Sequence, residues 1–280
     1  TSPAFVLHPT KPGDRLTLAG LDFEFFRVTH SIPDALALSI DTPFGRIVHT
    51  GAFRIDSTPS LGEPFDREGF ARLGEEGVFL LLSDSTNAEV PGRTGPESEV
   101  AASLTKLAAG HKGRVLVTMF SSNIERLSLF VKVAKKLKRR VGLVGRSLNT
   151  YTKAALESGF AALDPNSLVD PRFVEDVPDE ELFLLIAGSQ GEPRAALTRI
   201  ANGAHPDVRI KSSDLVIYSS KVIPGNEKAI QRVSNDLVKS GAKVLHERNA
   251  KVHTSGHGKR EEVIEVLELL RPKHFIPVHG

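Results

Sequence analysis

The feature that most constrains the fold is an alternation of short apolar runs with amphipathic segments between about residues 95 and 245. Five runs are typical of buried strands: RVLVTMF, RVGLVG, LFLLIAGS, DLVIYSS and AKVLHER. Helical segments such as SNIERLSLFVKVAKKLKR and NEKAIQRVSNDLVKSG separate them. Strands that alternate with helices pair in parallel, because each helix returns the chain to the same edge of the sheet. The pattern predicts a doubly wound α/β domain over residues 95–245.

The flanking segments, residues 1–94 and 246–280, follow a different pattern. Turns at KPGD, SIPD and DTPFG separate five short runs, FVLHPT, RLTLAG, FEFFRVTH, ALALSI and GRIVHT. Short strands joined by tight turns predict an antiparallel meander. VFLLLSDS then predicts a buried strand, and the end of the chain predicts the helix KREEVIEVLELLRP followed by the buried strand KHFIPVHG.

Composition excludes several classes of function. The chain has a net charge of only +2, so an anionic partner must be held by a local basic patch. It has no cysteine, so a transition metal must be bound by histidine and carboxylate ligands. No apolar run reaches about 18 residues and no signal peptide is visible, so we expect a cytoplasmic protein without a membrane span. The chain opens without Met and closes on PVHG, so we expect it to be part of a longer protein.

Three histidines stand where a predicted strand ends, namely His30 in VTHSIPD, His257 in HTSGHGKR and His279 in IPVHG. Asp84 also ends a strand. Such positions aim imidazoles and carboxylates at a common site, where they suit a metal ion. A capped or solvent-facing loop histidine is the alternative for each residue taken alone. The sequence contains neither HExxH nor HxHxDH, the clusters that indicate a metal site most directly.

Several polar strand ends have the composition of phosphate sites. FSSN at 120–123 offers hydroxyls and backbone N–H groups before a helix, although Ser122 or Asn123 can equally serve as a plain helix cap. Arg146 in GRS can form a bidentate contact with a phosphate, or it can be an ordinary surface charge. The run KVAKKLKRR at 132–140 is interpreted as a solvated helix face, with a basic wall along a nucleic-acid groove as the alternative.

Seven stretches together resemble the ribonuclease J family, which are nucleases of the β-CASP group of metallo-β-lactamases. They are HSIPDALALSIDTPFGRIVHTG, LLLSDSTNAEVPGRTGPESEV, FSSNIERL, GSQGEPRAALTRIANG, IYSSKVIPGNE, HTSGHG and PVHG, and they occur in family order over nearly the whole chain. The resemblance implies a partial metallo-β-lactamase αββα sandwich into which a doubly wound β-CASP domain is inserted. Residues 1–94 and 246–280 would form the sandwich and residues 95–245 the insertion.

The resemblance also implies roles for individual residues. His30 and His279 match metal ligands of the family. His257 matches the histidine that helps to protonate the leaving oxygen, and Asp84 matches the acidic partner that orients it. Ser122, Asn123, Arg146, Ser255 and Gly256 match segments that the family places near RNA phosphates.

The same resemblance implies a reaction and its partners. Two divalent metal ions, zinc or else manganese or magnesium, would share a hydroxide that attacks a phosphodiester of single-stranded RNA. The family degrades RNA from a 5′-monophosphate end in the 5′-to-3′ direction and also cuts internally. It further suggests a homodimer or tetramer.

Two departures from the family pattern matter. The motif HxHxDH, which supplies about half of the metal ligands, lies upstream of residue 1 in family order and is absent. The family reads HTGDF where this chain reads HTGAF, so Ala52 stands at the position of the aspartate that bridges both metal ions. We interpret Ala52 as an inactivating replacement in an otherwise intact site, and we expect RNA binding to survive it.

Two rival interpretations belong to other classes. The chain could be a naturally non-catalytic RNA-binding paralogue, but such a scaffold has no need of His30, Asp84, His257 and His279 together. It could also be a small-molecule hydrolase of the metallo-β-lactamase fold, but those enzymes lack the βα insertion that carries GSQGEP.

Overall fold

The chain folds into two units, and a computed structural model describes residues 7–161, 163–164 and 167–280. Unit 1 comprises Thr1–His30, Asp34–Thr94 and Ser255–Gly280, and unit 2 comprises Ser31–Pro33 and Gly95–Thr254. The strands are β1 (Arg15–Leu18), β2 (Leu21–Arg27), β3 (Leu36–Thr42), β4 (Gly45–His49), β5 (Leu80–Asp84), β6 (Val115–Met119), β7 (Arg140–Val144), β8 (Leu182–Ile186), β9 (Leu215–Ser219), β10 (Lys243–Leu245) and β11 (His274–Val278). The helices are α1 (Arg67–Glu76), α2 (Glu97–Ala108), α3 (Ile124–Lys136), α4 (Arg146–Glu157), α5 (Ala196–Ala201), α6 (Glu227–Lys239) and α7 (Arg260–Leu270).

Unit 1 contains one sheet with the strand order β1-β2-β3-β4-β5-β11. Strands β1 to β4 pair antiparallel, which confirms the predicted meander. β5 and β11 then add in parallel, because α1 and α7 carry the chain back before each of them. Of the predicted strand FVLHPT, residues 5 and 6 lie outside the described residues, and residues 7–10 form no strand.

The two helices of unit 1 pack on one face of this sheet. Phe70 and Leu73 of α1 and Val266 of α7 are fully buried in one cluster with Val48 and Leu81 from the sheet. On the opposite face the side chains are also apolar, but they are only partly buried or exposed: Leu18, Phe25, Leu38, Ile40, Ile47, Leu80, Leu82 and Ile276. A sheet face of this kind is the one that a sandwich covers with a second layer.

The prediction of a buried last strand was wrong. β11 is exposed along most of its length, and Phe275 and Ile276 are among the exposed apolar residues. The reason is its place at the sheet edge, where it pairs with β5 alone among the described strands. Pro277 fits this place, because proline cannot donate a ladder hydrogen bond and occurs on edge strands.

Unit 2 is a five-stranded parallel sheet with the order β10-β9-β6-β8-β7. Alternate strand residues enter two separate cores. One holds Val117 and Leu127, from β6 and α3, and the other holds Leu116 and Leu197, from β6 and α5. Helices therefore cover both faces, which confirms the predicted doubly wound α/β fold.

The strand order places the polar segments of unit 2 at a switch point. The chain leaves β6 toward one side of the sheet and leaves β9 toward the other, so a crevice forms outside their carboxyl ends. FSSN follows β6 and Ser220 follows β9. No helix in the described part of the chain combines the length and apolar character that a membrane span requires.

The basic run at 132–140 has two kinds of cation. Lys132, Lys135, Lys136 and Lys138 are exposed, as expected for a solvated face. Arg139 is instead buried, and its guanidinium donates to the carbonyl oxygens of Gly113 (2.8 Å) and Leu182 (3.0 Å). Its role is to satisfy backbone acceptors.

A buried ion pair in unit 2 gives a stability prediction. Arg114 and Asp214 are both fully buried and form a bidentate pair at 2.8 and 2.7 Å. Asp214→Ala leaves the guanidinium with only the half-exposed Glu175, at 3.2 Å, as counter-charge, so we expect the free energy of unfolding to fall by about 3 kcal/mol in chemical denaturation. Glu157→Ala, which breaks the exposed pair with Lys153, is the matched control and should leave stability unchanged. Equal effects of the two changes would contradict the assignment.

Candidate metal centre

Asp84 ends β5 and is the buried anchor of the site, with 2% of its surface exposed. Its Oδ2 accepts hydrogen bonds from Phe53 N (3.1 Å) and His257 Nδ1 (2.7 Å), and its Oδ1 accepts from Thr86 N (3.1 Å). Burial alone would raise the pKa of Asp84, but the hydrogen bonds from His257 and Thr86 outweigh it and hold the pKa below its ordinary value. The carboxyl is therefore ionised near neutral pH.

His257 is held in one tautomer and one orientation. Because Nδ1–H donates to Asp84, the lone pair of the neutral ring lies on Nε2. The backbone around the ring is fixed as well, since the carbonyl oxygen of His257 accepts from Asn87 Nδ2 (3.1 Å) and Thr94 Oγ1 (2.9 Å). The arrangement gives a nitrogen that can carry and transfer a proton beside a fixed negative charge.

His30 lies on the other side of His257, with the two ring centroids 5.0 Å apart. Its Nδ1 donates to the carbonyl oxygen of Gly256 (2.7 Å), so its lone pair is on Nε2. Burial is the main cause that lowers the pKa of His30, which keeps the ring neutral at pH 7. A neutral imidazole with a backbone partner on one nitrogen is the form that ligates metals.

His279 follows the exposed strand β11. Its ring centroid lies 5.0 Å from that of His257, and its Nδ1 lies 3.8 Å from Asp84 Oδ1. The parallel pairing of β11 with β5 places Val278 opposite Asp84, which brings the next residue, His279, to the site. The structure thus gathers all four residues that the sequence indicated at strand ends.

A metal ion fits this group in part. Ligand atoms of Asp84, His257 and His279 lie within 4.8 Å of one another. Both Asp84 oxygens and Nδ1 of His257 are already used by their mutual and backbone hydrogen bonds, which leaves imidazole nitrogens as the donors. His30 is not part of this set and lies beside His257. A catalytic zinc ion takes about three protein ligands. The described residues supply part of that set.

Ala52 lies in the turn after β4, beside this group. Gly51 precedes it with φ = 62°, and a Cβ there would lie 3.0 Å from the carbonyl oxygen of Leu36, so glycine suits the turn. Phe53 follows and donates to Asp84, which fixes the backbone on both sides of Ala52. The methyl group of Ala52 contributes no ligand atom.

The residues that the resemblance associates with RNA have different surroundings. In unit 1, Ser255 Oγ accepts from Asn87 Nδ2 (3.0 Å) and from His257 N (3.1 Å), and the carbonyl of Gly256 serves His30. In unit 2, Asn123 is 2% exposed and caps α3 by accepting from Arg126 N (2.9 Å). Ser122 is half-buried and Arg146 is exposed at the start of α4.

Sequence reasoning missed Glu262, which supports the site loops. It is fully buried on α7, where Oε1 accepts from Ile55 N (2.8 Å) and Oε2 accepts from Thr94 N (2.6 Å) and Lys259 N (2.9 Å). Asn87 was missed for the same reason. Both are polar residues whose partners are distant in sequence, so periodicity and motif spacing carry no trace of them.

Two family models match the chain. "Ribonuclease J, beta-CASP domain" matches residues 112–237, and "Zn-dependent metallo-hydrolase RNA specificity domain" matches residues 241–280. Together they cover more than half of the chain.

Curated relatives match over nearly all of it. The ribonuclease J of Synechocystis sp. is 43% identical over 92% of this chain and 40% of its own length. The ribonuclease J of Thermus thermophilus is 42% identical over 99% of this chain and 48% of its own length. "Ribonuclease J 1" of Streptococcus pyogenes is 41% identical over 95% of this chain and 47% of its own length. The chain spans about half the length of the curated relatives it matches.

A solved structure has the same fold at low identity. The crystal structure of a protein of unknown function from Enterococcus faecalis V583 superposes with a TM-score of 0.67 and 18% identity. The match covers 99% of this chain and 62% of that one.

Glu262 gives a prediction for the site loops. Glu262→Ala leaves one buried and two partly buried N–H groups without an acceptor, so we expect the free energy of unfolding to fall by about 2 kcal/mol. Urea denaturation measures this, and faster hydrogen exchange at Ile55, Thr94 and Lys259 would locate it. Glu268→Ala removes an exposed carboxylate from the same helix and should change neither quantity. Unchanged exchange at the three amides in Glu262→Ala would contradict the assigned role.

Proposed function

The chain belongs to the ribonuclease J family, and we propose that it forms part of the active site of a metal-dependent ribonuclease that acts in RNA processing and decay. The observation that carries this proposal is the gathering of His30, Asp84, His257 and His279 at the strand ends of unit 1. A carboxylate that orients one imidazole, flanked by two further imidazoles, suits phosphodiester hydrolysis better than binding alone.

His30 and His279 would hold the metal ions, which we propose are two divalent ions, zinc or else manganese or magnesium. When bound, such ions polarise the phosphoryl oxygens and lower the pKa of bound water. The hydrogen bond from His30 Nδ1 to Gly256 O keeps that ring in the ligating tautomer. The exposed His279 on the edge strand completes the donors from this chain.

His257 would protonate the departing 3′ oxygen through Nε2. Its Nδ1–H is fixed on Asp84 at 2.7 Å, so the ionised carboxylate stabilises the ring when it carries the proton. Asp84 acts through His257 and is a positioning residue in this scheme. Asn87 and Thr94 hold the backbone of His257 and thereby set the direction of the ring.

The proposed substrate is single-stranded RNA with a 5′ monophosphate, degraded from that end in the 5′-to-3′ direction and cut internally. Ser122, Asn123, Arg146, Ser255 and Gly256 are the proposed phosphate contacts. The exposed guanidinium of Arg146 supports a contact through its side chain. The side chain of Asn123 is engaged in capping α3, so its segment would act through backbone N–H groups and Ser122. The dimer or tetramer and the cytoplasmic location remain predictions.

The methyl group of Ala52 stands where the family has the bridging aspartate. A carboxylate at residue 52 would be a further metal donor that alanine cannot supply, so we propose that this variant is strongly impaired in cleavage. RNA binding does not depend on residue 52, because the proposed phosphate contacts are made by other residues. The variant would then hold RNA without turning it over.

Restoring the carboxylate tests the proposal. In the full-length protein with zinc or manganese, Ala52→Asp should raise cleavage of a 5′-monophosphorylated single-stranded RNA by about a hundredfold or more. Metal content by elemental analysis should rise as well, while RNA affinity stays the same. If both forms bind RNA and neither cleaves it, the protein is a non-catalytic RNA-binding paralogue.

A second change separates chemistry from metal binding. In the Ala52→Asp background, His257→Ala should slow cleavage by about 10²- to 10⁴-fold without changing metal content or RNA affinity. His274→Ala, which removes an exposed imidazole from β11, is the matched control and should keep full activity. Loss of metal together with activity in His257→Ala would make His257 a ligand and overturn its role as the acid.

A further inference from the structure

Unit 2 contains a cavity of about 950 Å³, lined in part by the stretch GSQGEPRAALTRIANG and by Arg146. It lies outside the carboxyl ends of the neighbouring parallel strands β7 and β8, where Gly145 and Gly188 follow the strands. Ligands of α/β sheets collect at this edge. The volume is that of a site for a small organic molecule or one nucleotide.

The charge of this cavity is mainly positive. Arg146, Arg194 and Arg199 line it, against the two carboxylates of Glu192 and Asp207. Within the described part of the chain, the side chains of Arg146 and Arg194 make no ion pair and no hydrogen bond, and both are exposed. Arg199 donates from one guanidinium nitrogen to the carbonyl oxygen of Ala204 (3.1 Å), and its other nitrogens have no partner among the described residues. Arginines whose guanidinium has no protein acceptor can form a bidentate hydrogen bond with a phosphate.

A buried imidazole also faces the cavity. His205 is 7% exposed, and its Nδ1 accepts from the backbone N–H groups of Asp207 and Val208, both at 3.2 Å. Burial is the main cause that lowers the pKa of His205, so the ring is neutral and its one proton is on Nε2. No acceptor for that proton is found among the described residues. Nε2 is not sealed from solvent, so it can donate to a ligand that enters the cavity.

An aromatic ring borders the same space. Tyr151 lies on the second turn of α4, lines the cavity and is 46% exposed. It is one of two tyrosines in the chain. An exposed ring next to arginines is the combination on which bases of single-stranded nucleic acids stack.

The cavity is continuous with FSSN, the segment proposed to contact RNA. Ser147 lines the cavity, and its Oγ lies 2.8 Å from the Oγ of Ser121. An RNA strand that contacts Ser122 would therefore reach Arg146 and the cavity within unit 2.

We propose that this cavity is a second RNA subsite, in which Arg194, Arg199 and His205 Nε2 bind one phosphodiester and Tyr151 stacks on the adjoining base. The subsite rests on the proposed function, since it takes further nucleotides of the same single-stranded RNA. It adds affinity for longer RNAs and takes no part in the bond cleavage.

Binding measurements on the full-length Ala52 protein test the subsite without degradation of the RNA. Fluorescence anisotropy follows 5′-monophosphorylated oligouridylates of 2 to about 12 nucleotides at several salt concentrations. Arg194→Ala with Arg199→Ala should weaken binding of the longest RNA about tenfold or more. It should also reduce the slope of log affinity against log salt by about 0.7, because both arginines bind the same phosphodiester and one phosphate contact is lost. The shortest RNA should bind unchanged.

Matched controls distinguish loss of the arginines in the cavity from a general loss of positive charge. Arg140→Ala with Lys153→Ala removes two exposed cations, one at the opposite end of β7 and one on α4 outside the cavity lining, and should leave affinity unchanged. Tyr151→Ala should weaken binding of the longest RNA about fivefold or more, and Tyr151→Phe should restore it, because the ring carries the effect.

The outcomes distinguish the two proposals. If the parent protein binds no RNA, the proposed function fails. If the parent binds and the double arginine variant matches it at every RNA length, the subsite is overturned while the function stands. If polyglutamate of equal charge binds the parent as tightly as the RNA and loses the same affinity in the variant, the cavity recognises acidic polypeptides and the RNA proposal is overturned.

Discussion

The loops that carry the site in unit 1 have no regular secondary structure, so their backbone donors must find acceptors elsewhere. Two buried carboxylates meet this need. Glu262 binds three amides from three separate segments, and Asp84 binds the amides of Phe53 and Thr86 as well as the ring of His257. An unpaired buried amide costs about 1–3 kcal/mol, so the conformation of these loops depends on the two carboxylates. The orientation of His257 follows from that arrangement, whereas the pairing of β11 with β5 brings His279 to the site.

Hydrophobic periodicity predicted the fold correctly where the strands are buried on both faces of the sheet. The five strands of unit 2 are continuous apolar runs between amphipathic helices, and this pattern has no other stable arrangement than a parallel sheet. The antiparallel meander was equally predictable from its turns. Periodicity failed for β11, because an apolar strand has the same pattern whether it lies in the centre or at the edge of a sheet. The two units divide near residue 254 through contacts that are distant in sequence, and the domain boundary at 245 stays a prediction.

The site was predictable to the extent that its residues end strands or lie in family motifs. His30, Asp84, His257 and His279 have no fixed spacing, and only the parallel pairing of β5 with β11 and the return of the chain at Ser255 bring them together. Asn87, Thr94 and Glu262 escaped prediction because a supporting hydrogen bond to a distant backbone group leaves no pattern in the sequence. Asn123 illustrates the reverse case, since a residue in a phosphate-like motif is used to cap a helix.

The hydrogen bonds of Asp84 have a consequence for how the protein responds to metal removal. In zinc fingers the ion itself organises the fold, and a chelator unfolds the chain. Here the carboxylate nearest to the proposed ions is held by backbone amides and by His257, and Nδ1 of His30 is held by a carbonyl. Hydrogen bonds within the protein therefore set the tautomers of His30 and His257. Metal occupancy can then vary with supply while the loops of unit 1 keep their structure.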